Sequence, residues 1–99
     1  MSKKDKTEEK FSLQALQRGD QAEFARVVDA YSGYIYRLAL KMLNNPQDAE
    51  DILQETFIKA YEAFPKFEGR SKISTWLYRI ATNEALMFLR SKRPDPISV

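Results

Sequence analysis

The chain of 99 residues contains no cysteine and no histidine. Without cysteine it has no disulfide, no thiolate zinc site and no thiol nucleophile. Without histidine it lacks the commonest general base and the commonest metal ligand. Both absences argue against hydrolytic and metal-dependent chemistry. We therefore expect a protein that is not an enzyme, with no catalytic residues, no metal ion and no cofactor.

Long apolar runs are also missing. No stretch approaches the ~18 apolar residues that a membrane span needs. The first ten residues, MSKKDKTEEK, lack the apolar core of a signal peptide. We therefore predict a cytoplasmic protein without membrane insertion. Glycine and proline are scarce, with three Gly and four Pro, and a content of 43% hydrophobic residues is typical of a folded domain.

The spacing of the apolar residues predicts an all-α protein. They recur at intervals of three and four in three long segments and one short segment, and no segment shows a strand pattern. We predict a compact helical bundle of three main helices plus a short N-terminal helix over residues 11–18. In this interpretation residues 1–10 are a disordered tail, residues 11–93 form the helical domain and residues 94–99 begin a linker.

The predicted helix boundaries follow from residues that cap or break helices. Asp20 and Glu23 have the spacing of a capping box at the start of the first long helix. The second long helix is predicted to begin at Pro46 and to end at Pro65. The predicted N-caps of the second and last helices are Asn45 and either Ser71 or Ser74.

The net charge of +2 hides a segregation of charge along the chain. Residues 46–64 hold one Lys and five acidic residues, whereas residues 65–99 hold seven basic and three acidic residues. Two surfaces of opposite sign favour two different partners. Chance segregation in a short chain is the alternative.

The second long helix carries an acidic patch on its outward face. Asp51, Gln54, Glu55 and Ile58 are successive neighbours on that face. A solvated surface is the usual role of such a patch, but an exposed aliphatic residue among polar groups is typical of a protein interface. A cation site formed by Asp48, Asp51 and Glu55 is a further alternative, although nothing in the sequence fixes its geometry.

The last helix presents basic and polar side chains away from its apolar face. Arg79 and Arg90 are of the type that binds phosphates, and Asn83 is of the type that hydrogen-bonds base edges. Lys72 and Thr75 precede them on the same side. This pattern favours a nucleic-acid surface.

Aromatic residues accompany these bases. We expect Trp76 and Tyr78 where the last helix meets the preceding loop, which carries Phe67 and Arg70. Aromatic faces beside cations hold the unpaired bases of single strands. Burial in the core is the alternative for Trp76 and Tyr78, whereas Phe67 is expected to have little local core to join.

Two segments, DAEDILQETFIKAYEAF and KFEGRSKISTWLYRIATN, closely resemble the second conserved region of bacterial RNA polymerase sigma factors of the extracytoplasmic-function (ECF) group. The resemblance covers residues 12–93 and includes the D-x-x-Q-E helix, the F-x-G-x-S loop and the S-T-W-L-Y-R-I-A-x-N helix in the family's order. It implies the sigma factor region 2 fold. It also implies a domain that docks on the polymerase core and that recognises and melts the promoter minus-10 element.

The resemblance implies two sets of binding residues and their partners. The acidic helix would dock on the clamp coiled coil of the largest polymerase subunit. The loop would hold a flipped base of the non-template strand, and the last helix would contact the melted strand. An anti-sigma factor is a further expected partner. The implied polymerase-binding residues are Asp51, Gln54, Glu55, Ile58 and Tyr61. The implied DNA-binding residues are Lys66, Phe67, Gly69, Arg70, Ser71, Lys72, Thr75, Trp76, Arg79, Asn83 and Arg90.

The chain departs from the family pattern at a few positions. Glu68 and Arg70 reverse the usual order of a base before and an acid after the loop glycine, which affects the choice of captured base. Met87 and Phe88 stand where relatives often have a polar and a basic residue. The family's helix-turn-helix domain is not present in this sequence, so we expect the chain to be a fragment or a truncated relative.

Two other functions stay open on the sequence alone. The first is a helical protein-interaction module that binds an anti-sigma factor or an adaptor and reads no DNA. The second is a carboxylate-metal nuclease, which needs an acidic cluster beside the basic face. The acidic residues lie mainly on another helix, which argues against the nuclease.

Overall fold

A computed structural model describes residues 11–92 as four α-helices and one 3₁₀ turn. Helix α1 is Leu13–Gln17, α2 is Gln21–Leu43, α3 is Pro46–Ala63 and α4 is Ile73–Lys92. The 3₁₀ turn, Phe64–Lys66, follows α3 directly. The prediction of an all-α bundle is confirmed. The disordered tail predicted for residues 1–10 and the linker predicted for residues 94–99 lie outside the described residues.

The start of α2 shows only half of the predicted capping box. The Asp20 carboxylate accepts hydrogen bonds from the backbone N–H groups of Ala22 and Glu23, at 2.9 and 3.2 Å. Glu23 does not complete the box by reaching back to Asp20. Its carboxylate accepts instead from the backbone N–H of Ser12, at 2.7 Å. Because Ser12 is the N-cap of α1, this bond ties the short helix to the long one.

The turn between α2 and α3 follows the predicted capping pattern. Asn44 closes α2 in the left-handed region, with φ 54°. The Asn45 side chain accepts a hydrogen bond from the backbone N–H of Asp48, at 3.0 Å. Pro46 occupies the first helical position, where its missing N–H leaves no bond unmade. The predictions for Asn45 and Pro46 are confirmed.

The start of α4 differs from the prediction. The Lys72 carbonyl accepts the first helical hydrogen bond, from the backbone N–H of Trp76 at 3.0 Å, so Lys72 holds the N-cap position instead of Ser71 or Ser74. Phe67 and Ile73 are both buried at the two ends of the loop. The loop that leads into α4 is therefore anchored in the core at both of its ends.

The three long helices pack side by side around one core. At one end Val27 and Tyr31 of α2 share a buried cluster with Ile73 and Leu77 of α4. At the other end Phe88 of α4 packs beside the C-terminal part of α2, so α2 and α4 run parallel. Helix α3 returns between them in the opposite direction. Among the helices of residues 11–92, none is both long and apolar enough to cross a membrane.

Candidate nucleic-acid interface

The corner between the 3₁₀ turn and α4 is built on three aromatic rings. The Phe67 ring stacks on the indole of Trp76, with centroids 4.3 Å apart and planes at 27°. Phe64 meets Phe67 edge to face, with centroids 5.8 Å apart. It meets Trp76 at a tilt of 52°, with centroids 4.7 Å apart. Such pairs each contribute about 0.5–1.5 kcal/mol beyond the area that they bury. The rings therefore give the loop over residues 67–72 a rigid base.

Phe67 lies in the core, contrary to the expectation that it lacks a local core to join. Its exposed fraction is 8%, and it belongs to the main buried cluster. The reason is that Phe64, three residues earlier, and Trp76, on the next helix, converge on the same point. One edge of Phe67 still borders the cavity described next, so its predicted contact with DNA stays a prediction.

A cavity of about 360 Å³ opens beside this corner. Its apolar wall comes from Phe11, Leu13, Phe67 and Ile73, and its polar rim from Gly69, Arg70, Ser71 and Lys72. An apolar pocket with a few polar groups at its edge is the usual form of a site for a flat organic group. The loop predicted to hold a base therefore does border a cavity.

Helix α1 supplies part of this cavity, and its role could not be found from the sequence. The side-chain amide of Gln17 donates a hydrogen bond to the carbonyl of Phe67, at 2.8 Å. Gly69 has φ +77°, and a Cβ built on it would lie 2.9 Å from Cδ2 of Leu13. The loop and α1 are therefore in direct contact at two points. No local pattern links α1 to a loop 50 positions further along the chain.

The position of α1 is held by an electrostatic link to α2. Glu23 accepts from the Ser12 N–H and forms an ion pair with Arg26, at 2.8 Å. The Ser12 hydrogen bond, followed by the bond from Arg26, lowers the pKa of Glu23 below its usual value of 4.5. The stabilisation from this link is therefore complete above about pH 4.5 and is lost as the pH falls through the lowered pKa. The Arg26 guanidinium also lies 5.2 Å from the centre of the Phe11 ring.

Most of the predicted DNA-binding side chains reach solvent. Ser71 and Trp76 are half-buried and Phe67 is buried. Arg70 forms an exposed ion pair with Glu68 at 3.0 Å, which is of the kind that contributes little to stability and can exchange its partner. The exposed members of the set are Lys66, Gly69, Arg70, Lys72, Thr75, Arg79, Asn83 and Arg90.

Tyr78 does not lie at the loop, where it was expected. Its ring stacks on Tyr34 of α2, with centroids 6.3 Å apart and planes at 29°. The reason is the rotation of about 100° per residue along a helix. This rotation directs Trp76 towards the loop and Tyr78, two residues later, towards α2.

The acidic patch on α3 is an exposed surface, as predicted. Asp51, Gln54 and Ile58 are exposed, and Ile58 has an exposed fraction of 52%. Glu55 is half-buried and lies 3.9 Å from Lys59, which also contacts Glu84 of α4 at 3.6 Å. The polar and aliphatic groups of the patch are therefore available to a partner.

Two cavities flank the acidic patch. One, of about 450 Å³, is lined mainly by the apolar groups of Phe24, Phe57 and Ile58 and by Tyr61. Tyr61 is fixed in place because its hydroxyl donates a hydrogen bond to the carbonyl of Gly19, at 2.9 Å. The other cavity, of about 410 Å³, lies between α3 and α4, and its lining includes Asp51, Glu55, Glu84, Met87 and Phe88. Met87 therefore lines a cavity beside the acidic patch, and it also lies one turn after Asn83 on α4.

The arrangement of these helices is that of a known family. The sequence profile named Sigma-70 region 2 matches residues 27–94, which is well over half of the chain. The chain belongs to the Sigma-70 region 2 family. Helix α1 precedes the matched residues.

The chain is similar to ECF sigma factors in particular. It is 48% identical over 83 residues to the ECF RNA polymerase sigma factor SigW of Bacillus subtilis, a match that covers 84% of this chain and 44% of that protein. It is 43% identical over 89 residues to the RNA polymerase sigma-H factor of Pseudomonas aeruginosa, covering 88% of this chain and 46% of that protein. The chain thus spans less than half of the length of these relatives.

A solved structure shares the same fold. It is an NMR structure of an engineered region 2 of sigmaE in complex with GTAAAA. The TM-score is 0.74 at 39% sequence identity, and the match covers 81% of this chain and 83% of that chain. The predicted region 2 fold is confirmed.

Proposed function

We propose that this chain is a sigma factor domain that docks on the RNA polymerase core and melts the promoter minus-10 element by capturing one flipped base of the non-template strand. The observation that carries this proposal is the cavity beside the loop over residues 67–72. The cavity has an apolar wall and a rim that includes Arg70 and Lys72. The helix that follows the loop, α4, carries the exposed row of Arg79 and Asn83.

The chemistry of the cavity suits an unpaired base. Phe67 and Phe11 present aromatic surface to it, and Ser71 adds a hydroxyl at the rim. Stacking of a base on aromatic side chains contributes about 1–3 kcal/mol. Extraction of a base from a duplex costs a few kcal/mol. Capture by this domain alone roughly offsets that cost, so stable melting requires the additional binding energy of a complex with polymerase.

The row along α4 suits the rest of the melted strand. Arg79 and Arg90 are exposed and separated by three turns of the helix, with Asn83 between them on the same side. Arginine binds phosphates without regard to sequence, whereas an asparagine amide can hydrogen-bond a base edge. We infer that Arg79 and Arg90 hold the strand and that Asn83 contributes to the choice of base.

The acidic patch suits the polymerase core. Asp51, Gln54, Glu55 and Ile58 place carboxylates and an amide around one exposed aliphatic side chain, next to an apolar cavity. The surface complementary to this patch is a basic one that also inserts an aliphatic side chain into the apolar cavity. The clamp coiled coil of the largest subunit is the partner that we propose. An anti-sigma factor that covers the acidic patch would block docking on polymerase, and one that covers the loop and α4 would block DNA binding.

The DNA-binding role is tested with a labelled single strand. GTAAAA is a suitable first probe, since the similar region 2 of sigmaE forms a complex with it. We expect Asn83→Ala to weaken binding, measured by fluorescence anisotropy, by about 1–3 kcal/mol. We expect Arg79→Ala to reduce the slope of log K against log salt by about 0.7, because one phosphate contact is lost.

The matched control is Gln54→Ala, which removes an exposed helical amide on the acidic patch. It should leave the affinity for the strand unchanged. If neither Asn83→Ala nor Arg79→Ala weakens binding, the proposed face is wrong. If the wild-type domain binds no single strand and yet forms a tight complex with an anti-sigma factor, the chain acts as a protein-interaction module.

A further inference from the structure

A second aromatic and basic groove lies between α2 and α4, away from the loop cavity. Its centre is the stacked pair of Tyr34 and Tyr78, whose exposed fractions are 40% and 43%. Two stacked tyrosines in a core would be buried, but each of these keeps a large part of its ring in water. The groove has a volume of about 730 Å³, twice that of the loop cavity, and is lined by Tyr34, Arg37, Leu38, Leu40, Lys41, Asn44 and Tyr78.

The charged side chains that line this groove are both basic. Arg37 and Lys41 lie one turn apart on α2, both are exposed, and neither forms an ion pair with another residue of the described part of the chain. The lining contains no acidic side chain. Two cations that are not neutralised by the protein attract an anion, and the adjacent tyrosine rings offer surface on which a planar group can stack.

The groove continues the proposed DNA-binding side of α4. Tyr78, in the groove, immediately precedes Arg79 in the sequence. Exposed Thr75 lies one turn before these two residues, on the border between the groove and the row of Arg79 and Asn83. A strand held by Arg79 and Asn83 can therefore pass from α4 onto α2 without crossing the acidic patch, which lies on α3.

We propose that this groove binds one or two nucleotides of the promoter strand that lie next to the minus-10 element. Their bases stack on Tyr34 and Tyr78, and their phosphates pair with Arg37 and Lys41. This inference rests on the proposed function and extends it, because it adds a second contact region on a helix that carries none of the DNA-binding residues predicted from the sequence. A protein partner fits less well, since the stacked rings are flanked by two cations that such a partner would have to neutralise.

The test compares strands of different length. GTAAAA alone is compared with GTAAAA extended by three thymidines at its 5′ end and, separately, at its 3′ end, in anisotropy titrations at constant salt. We expect one of the two extended strands to bind at least fivefold more tightly than the hexamer, as expected from the stacking of one additional base. Tyr34→Ala and Arg37→Ala should each remove most of that gain and leave the affinity for the hexamer unchanged. Replacing the thymidines by abasic spacers removes the stacking bases and keeps the phosphates, so it should also remove most of the gain.

The controls separate this inference from the proposed function. Arg18→Ala removes an exposed arginine from the end of α1, outside the groove, and should preserve the gain. Thermal unfolding of each variant checks that the fold is intact. If neither extension improves binding, or if the gain survives both Tyr34→Ala and Arg37→Ala, the groove does not bind the strand, although the hexamer result still supports the proposed function. If neither Asn83→Ala nor Arg79→Ala weakens binding of the hexamer, the proposed function fails instead.

Discussion

At the scale of single residues, burial decides which of the predicted DNA-binding side chains can contact DNA without a change in the structure. Arg79 and Asn83 are exposed, so they can bind a ligand with little change in the structure. Phe67 is buried and supports Trp76. Replacing it by alanine would cost about 3–5 kcal/mol of stability. A loss of DNA binding in such a variant would therefore reflect lost stability as much as a lost contact, and the exposed residues give the clearer test.

Thr56 gives a prediction about stability at the same scale. Its side chain is fully buried in α3, and its hydroxyl has no hydrogen-bond partner among residues 11–92. An unpaired buried polar group costs about 1–3 kcal/mol. We expect Thr56→Val, which has a similar shape, to raise the free energy of unfolding in urea by about 1 kcal/mol. A lower value for the variant would show that the hydroxyl is paired in solution.

At the scale of elements, the loop over residues 67–72 depends on a helix far away in sequence. Helix α1 has only five residues, Leu13–Gln17, and is too short to be stable alone. It is held by the bond between Glu23 and Ser12, and it contacts the loop through Gln17 and Leu13. The shape of the loop cavity is thus determined jointly by α1, α2 and α4.

Gly69 tests this dependence. Its φ of +77° is unfavourable for any other residue, and an added Cβ would displace the Leu13 side chain. We expect Gly69→Ala to lower the free energy of unfolding by about 1–2 kcal/mol and to weaken the binding of GTAAAA, because Leu13 and the loop both line the cavity.

The matched control is Gly19→Ala. Gly19 has a similar φ of +81°, but an added Cβ there would approach the hydroxyl of Tyr61. It should lose comparable stability and keep its affinity for the strand. Equal losses of affinity in both variants would mean that general destabilisation, and not the shape of the cavity, governs binding.

At the scale of the whole molecule, the two charged surfaces occupy different helices. The acidic patch lies on α3, and the proposed DNA-binding row lies on α4. The salt bridge between Lys59 and Glu84, at 3.6 Å, joins the two helices between these surfaces. On the proposed function, this separation leaves one surface for polymerase and the other for DNA, so that both can bind at the same time.

The separation predicts independent effects of mutation. We expect Asp51→Arg to weaken binding to the polymerase core at least tenfold, because like charges across an interface cost several kcal/mol. It should not weaken binding to GTAAAA. Titration of labelled domain with core enzyme measures the first effect, and anisotropy measures the second.

Asp29→Arg, which makes the same charge change on the exposed side of α2, is the control and should leave core binding unaltered. A loss of core binding with Asp29→Arg as well would indicate a long-range charge effect instead of a docking patch.

The amino-acid sequence by itself determined the helices, the start of α3 with its N-cap Asn45 and Pro46 in the first helical position, the opposite charges of α3 and α4, and the family. These features depend on spacings of a few residues or on a continuous motif, so they can be predicted without the fold. The tertiary structure alone decided that Phe67 is buried, that α1 lines the loop cavity and that Tyr78 meets Tyr34. Each of these depends on which element lies next to another in space. Contacts such as that between Gln17 and Phe67, 50 positions apart, form only when the packed helices bring distant segments together.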